Sequence, residues 1–145
     1  MNIALLSAAV AAAAMGVLAP APASAHEATE KVTPKLEQAI PNIPGKSLIA
    51  LVVDYAPGAA SPSHTHSKSA FIYAYVVSGA IESQVDDGPK RILRAGDSFY
   101  ESPGATHRES RNASRTQPAK LLAVFVVDTG DMPLTMPVSA PLEKK

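Results

Sequence analysis

The sequence predicts an all-β domain, a sandwich or barrel, on three observations. Short β-branched and apolar runs recur at regular spacing. Turns containing Gly or Pro separate them. No stretch after residue 48 shows the apolar period of an amphipathic helix. At 145 residues the chain has the usual size of one domain, and no internal repeat changes that.

The elements follow in order. Residues 1–25 carry no charged side chain. The apolar run Ile3 to Leu18 leads through a proline-broken stretch to Ala23-Ser24-Ala25, which reads as a secretory signal peptide cut after Ala25. The first residues lack Lys and Arg, so the alternative is an uncleaved membrane anchor, for which the run is short. The expected location is periplasmic or secreted, with no membrane association after cleavage. Residues 26–47 form a polar N-terminal arm with Pro34, Pro41 and Pro44, expected to be extended apart from one helical turn at Lys35 to Ile40. Residues 48–130 form the barrel domain, with strands expected at Leu48–Tyr55, Phe71–Val77, Ala80–Val85, Lys90–Leu93, Ser98–Glu101 and Lys120–Val127. Pro57-Gly58, Ser78-Gly79, Asp86-Asp87-Gly88-Pro89, Ala95-Gly96-Asp97 and Ser102-Pro103-Gly104 supply the turns. The polar stretch from His107 to Pro118 is expected to be one exposed strand and a loop. The tail, residues 131–145, is expected to pack on the barrel or fray.

Composition narrows the chemistry. Lys+Arg and Asp+Glu balance at 13 each, and no basic stripe points to nucleic acid. With no cysteine, disulfides, thiolate metal sites and cysteine nucleophiles are excluded, and an oxidising compartment permits disulfides without requiring them. No phosphate-cradling glycine loop, Ser-His-Asp arrangement or glycosidase carboxylate pair can be argued.

The chain has four histidines, and two close the stretch GAASPSHTH, residues 58–66. In a strand, His64 and His66 project to one face and Thr65 to the other. Two imidazoles so placed can take adjacent positions on one divalent first-row metal. His107, just after the Ser102-Pro103-Gly104 turn, can come opposite from a neighbouring strand and complete a three-nitrogen set with open positions. Taken alone, an H-x-H pair is as often a polar loop. His26 would begin the mature chain as a disordered terminus or, less readily, an amino-terminal copper chelate.

These residues resemble the two motifs of the cupin superfamily, in the small single-domain, three-histidine type. Gly58, five residues, His64-x-His66 and a later Gly79 match the first motif; Gly96, Gly104 and His107 match the second. The resemblance implies a double-stranded β-helix, or jelly-roll barrel, holding a divalent metal through His64, His66 and His107. It spans residues 58–112 in the motifs and most of 48–128 with the flanking strands. Three features depart from the pattern. The usual glutamate shortly after H-x-H is absent, since Ala70, Phe71, Ile72 and Tyr73 stand there; Ser102 stands at the proline position of the second motif, with Pro103 just after it; and the closing asparagine is one place late, at Asn112. Three-histidine cupins of the acetylacetone-cleaving dioxygenase type lack that glutamate too and carry one six residues before the last histidine, where this chain has Glu101.

Glu101 shares a strand face with Phe99, which suggests the interior. A buried carboxylate needs a cation or hydrogen bonds. It is read as a fourth ligand, as a group orienting a histidine or bound water, or as an acceptor for the following turn. Tyr73, Tyr75, Phe99 and Phe125 are candidates for cavity lining or core. Arg108 should face outward, with Arg94 and Arg111 solvated and Gln84 away from the site.

The resulting expectation is an exported small cupin that binds Fe, Mn, Ni, Cu or Zn, the set that imidazole does not discriminate. It would act as an Fe(II)-type dioxygenase-like enzyme on a small organic molecule. A non-enzymatic metal or small-molecule binding protein of the cell envelope is the alternative, and a barrel serving only as a dimerisation scaffold is a third. The superfamily resemblance also implies a homodimer.

Overall fold

The computed structural model describes residues 30–138. The expected signal segment, its expected cleavage point, His26 and residues 139–145 lie outside the described residues. Strand alternation dictates the rest. In KLLAVFVV, Leu121, Ala123, Phe125 and Val127 are buried while Lys120, Leu122, Val124 and Val126 take the opposite face.

The described residues form strands β1 (Glu30–Ala39), β2 (Lys46–Tyr55), β3 (Ala60–Ser61), β4 (His64–His66), β5 (Phe71–Ser78), β6 (Ala80–Val85), β7 (Arg91–Arg94), β8 (Ser98–Glu101), β9 (Thr106–Asn112), β10 (Ala119–Asp128) and β11 (Thr135–Pro137), with no helix among them. They pair into two antiparallel sheets, one ordered β1-β2-β10-β5-β8 and the other β11-β4-β9-β6-β7, with β3 also on β9. This is the double-stranded β-helix that the motifs imply. Two apolar clusters fill the space between the sheets. One centres on Val53, Tyr55, Val76, Ile81 and Leu121. The other centres on Ile49, Ile72, Phe125 and Val127.

Two expectations need correction. The Lys35–Ile40 helical turn is strand instead: β1 pairs with β2 and passes Pro34 by a register shift between Pro34 and Leu36. β1 is an edge strand, where a residue without an N–H is tolerated. The strand after His107 is not exposed, because β9 lies between β4 and β6 and buries His107, Ser110 and Asn112, while residues 113–118 form the expected loop. The tail takes the packed course of its two expected ones over its described part: β11 pairs with β4, and Asp131 accepts hydrogen bonds from Ser67 and Ser69.

Gly79 sits at φ +72, and a Cβ there would meet the Pro118 carbonyl oxygen at 2.5 Å. The backbone crossing between β5 and β6 therefore requires glycine at the place where the first motif closes.

Candidate metal centre

Register places the histidines. His64 stands directly opposite His107 in the β4–β9 pairing, and the His66 N–H donates to Ala105 O at 2.9 Å. Ring centroids are 4.8 Å apart for His64 and His66, 5.4 Å for His64 and His107, and 6.4 Å for His66 and His107. One nitrogen from each ring falls within 4.8 Å of the other two, a cluster that could hold a metal ion.

Each ring is held by its neighbours. His64 Nδ1 lies 2.8 Å from Pro62 O, and as the donor to that carbonyl it leaves Nε2 as a free lone pair. Burial pushes the His64 imidazolium pKa down, against the Pro62 carbonyl, which favours the neutral ring that a metal requires. His107 Nε2 is 2.9 Å from Ser83 Oγ, and its Nδ1 is 3.3 Å from Glu101 Oε1. His66 packs edge-on against Phe125, with ring centroids 5.6 Å apart.

Glu101 is 3% exposed and reaches two of the three imidazoles. Burial alone would raise its carboxyl pKa, but the contacts with His107 and His66 outweigh it and hold the group at about 2. It is therefore a carboxylate at neutral pH. Its Oε2 lies 2.9 Å from His66 Nε2 but out of line for a hydrogen bond. Both nitrogens of His66 and this oxygen are buried without a hydrogen-bond partner. Each such orphan costs about 1–3 kcal/mol. Converging imidazole and carboxylate donors with no partner fit a cation between them.

A cavity of about 300 Å³ opens onto the cluster. Its walls from the five-stranded sheet are apolar, among them Val53, Ile72, Ala74, Leu121 and Phe125. Its exposed lining residues are Val32 on β1, Pro62 between β3 and β4, and Thr135 and Pro137 on β11, so the opening lies beside edge strands β1 and β11.

The structure brings His64, His66, His107 and Glu101 together. Of the aromatic candidates, Phe125 lines the cavity and Phe99 packs against His107, with ring centroids 5.9 Å apart. Tyr73 and Tyr75 point the other way, because Ile72 and Ala74 take the inward positions of β5. Arg108 faces outward onto Asp86 O and Asp87, and Gln84 turns to Gly88 O. Sequence reasoning did not single out Ser83 or the Tyr55–Ser61–Ser110 hydroxyl group. Ser83 was recoverable from its alternation with Ile81.

The late Asn112 also has a structural account. Val85 pairs with His107 and Gln84 with Glu109, so β9 carries one extra residue at Arg108. This bulge absorbs the added residue and flips the later alternation, letting His107, Ser110 and Asn112 all face inward. Asn112 donates to Ala56 O and Gln117 O and accepts from the Ser114 N–H, a structural role.

Comparison with known proteins agrees with this architecture. The family model described as cupin domain matches residues 51–125, more than half of the chain. No curated protein matches. Among solved structures, a Klebsiella pneumoniae uncharacterized conserved protein with a double-stranded β-helix domain is similar at TM-score 0.59 and 22% identity, covering 79% of this chain and 89% of that one. The protein TT1209 from Thermus thermophilus is similar at TM-score 0.56 and 23% identity, covering 68% and 84%. An oxalate oxidase in complex with the substrate analogue glycolate is similar at TM-score 0.52 and 25% identity, covering 70% and 52%. The β-helix barrel, the motif histidines on facing positions of β4 and β9, and the matching family model lead to one conclusion: this chain belongs to the cupin family.

Proposed function

We propose that this protein is an exported cupin that holds one divalent metal through His64, His66 and His107 and acts on a small organic molecule in a dioxygenase-like reaction. The observation that carries the reading is the set of orphaned buried donor atoms on His66 and Glu101 beside two further imidazoles. A bound metal supplies Lewis acidity and open positions for a chelating molecule and O₂. The chain's own residues do the rest. Pro62 O and Ser83 orient His64 and His107. Glu101, ionised at rest, is a fourth ligand or the group that orients His66 and His107 and takes up and releases a proton during turnover. The apolar walls keep water from the reacting end. The oxalate oxidase among the similar structures supports a small organic substrate. The test is oxygen uptake by iron-loaded protein across a panel of small chelating molecules. Uptake with one of them, lost in Glu101→Gln and His66→Ala, supports an enzyme. Tight metal binding without turnover favours the non-enzymatic envelope binder.

The chain is also read as a homodimer through the outer face of the five-stranded sheet. There the cross-strand pairs Leu48–Val126, Ala50–Val124 and Val52–Leu122 form an apolar field. It continues into Tyr73, Val77 and the stacked Phe71–Tyr100 pair, all exposed. Ion pairs Lys46–Asp128 and Lys120–Asp54 close the field at both ends. An apolar centre with a charged rim has the anatomy of an interface, and a second copy matches it face to face.

A further inference from the structure

The cavity has a second polar feature that the metal reading does not use. Tyr55 Oη lies 2.8 Å from both Ser61 Oγ and Ser110 Oγ, and all three residues line the cavity. Three hydroxyls carry three donor hydrogens. The two bonds within the trio consume two of them, and among the described residues the three side chains make no other hydrogen bond. One O–H is therefore left to donate into the cavity. Burial raises the Tyr55 phenol above its ordinary range, so it remains a protonated donor.

Position fixes how far this donor is from the imidazoles. Ser110 follows His107 by three residues on β9, and both face inward across the bulge. At about 3.3 Å per residue the separation is roughly 7–10 Å. Charge narrows the ligand further. No Lys or Arg lines the cavity among the described residues, whereas Glu30 and Glu101 do. A carboxylate at the Tyr55 end would meet no cation and would lie near the Glu30 carboxylate.

We infer that the cavity selects an uncharged small molecule, one end of which reaches the imidazole cluster while the other presents a carbonyl, ether or hydroxyl oxygen that accepts a hydrogen bond from the Tyr55–Ser61–Ser110 trio. The inference rests on the proposed metal centre. The walls between the two ends are apolar, so the connecting segment is hydrocarbon. The cavity of about 300 Å³ limits it to a short chain or one ring.

The test uses zinc-loaded protein and three near-isosteric hydroxamic acids, measured by calorimetry. Pentanohydroxamic acid has an alkyl end, 4-oxopentanohydroxamic acid a ketone, and succinic monohydroxamic acid a carboxylate. The expected result is that the ketone binds about 3- to 10-fold tighter than the alkyl compound, the scale of one net hydrogen bond, and that the carboxylate binds weakest. In the triple variant Tyr55→Phe/Ser61→Ala/Ser110→Ala, which removes every hydroxyl of the trio, the ketone advantage falls to parity. Should that variant not fold, the ketone–alkyl comparison in the native protein still decides. Equal binding of ketone and alkyl compounds in the native protein, or a preference unchanged in the triple variant, overturns this inference and leaves the metal centre standing. Failure to take up zinc, or to bind any of the three, overturns both.

Discussion

The two sheets of this barrel contribute opposite surfaces to the same interior. The sheet containing β4, β9 and β6 turns His64, His66, His107, Ser83 and Ser110 inward. The five-stranded sheet turns Val53, Ile72, Ala74, Leu121 and Phe125 inward, with Glu101 as its one carboxylate in the imidazole cluster. The outer faces differ as well. Across its middle strands β2, β10 and β5, the five-stranded sheet is apolar outside too, whereas β9 presents Arg108 and Glu109. Chemistry is thus concentrated on one sheet and insulation on the other. That apolar outer face is the one proposed above to meet a second copy.

Given that division, substitutions in the two sheets should fail in different ways. The largest effect belongs to the polar sheet. His66→Ala and His107→Ala should abolish stoichiometric metal binding while leaving the strand content by circular dichroism unchanged. Next comes the insulating sheet. Leu121→Ala, at a buried position of the Val53–Tyr55 cluster, should cost about 2–5 kcal/mol in denaturant unfolding and still bind metal. A Leu121→Ala protein that loses metal without losing stability would break the comparison.

Glu101 sharpens it, since it is the polar exception in the apolar sheet. Glu101→Gln should weaken metal affinity by about 10- to 100-fold, the range for groups that orient ligands. The folded-state pKa of Glu101, about 2, lies below its ordinary value of 4.5. Its stabilising contribution is therefore complete above pH 4.5 and is lost as pH falls toward 2. Acid titration of the metal-free protein should show that loss, and Glu101→Gln should flatten it. The smallest effect on the fold is expected outside. Tyr73→Lys, at an exposed position of the apolar outer face, should change monomer stability by no more than about 0.5 kcal/mol. It should nonetheless shift sedimentation from dimer to monomer.

The legible parts of this protein were those where one local rule decides. His64 and His66 share a face because strands alternate, and Glu101 was placed inside by its alternation with Phe99. The barrel was readable from turn chemistry such as Asp86-Asp87-Gly88-Pro89. What stayed hidden depended on partners elsewhere in the chain. Pro34 disguised β1, because only an edge position facing β2 makes that proline compatible with a strand. The bulge at Arg108 reversed the alternation beyond it, so Ser110 and Asn112 could not be assigned inward by counting from His107. The Tyr55–Ser61–Ser110 contacts join residues on β2, β3 and β9, and no spacing within one segment signals them. Tyr73 and Tyr75 could be assigned a face only once Ile72 and Ala74 were seen to fill the core.

The most direct test of the three-histidine centre is elemental analysis of the protein, purified without a histidine tag, beside a His64→Ala variant. The expected result is about one divalent first-row metal per chain, held by the three imidazoles, and its loss in the variant. Metal-free native protein, even after reconstitution with iron, manganese, nickel, copper and zinc in turn, would contradict it.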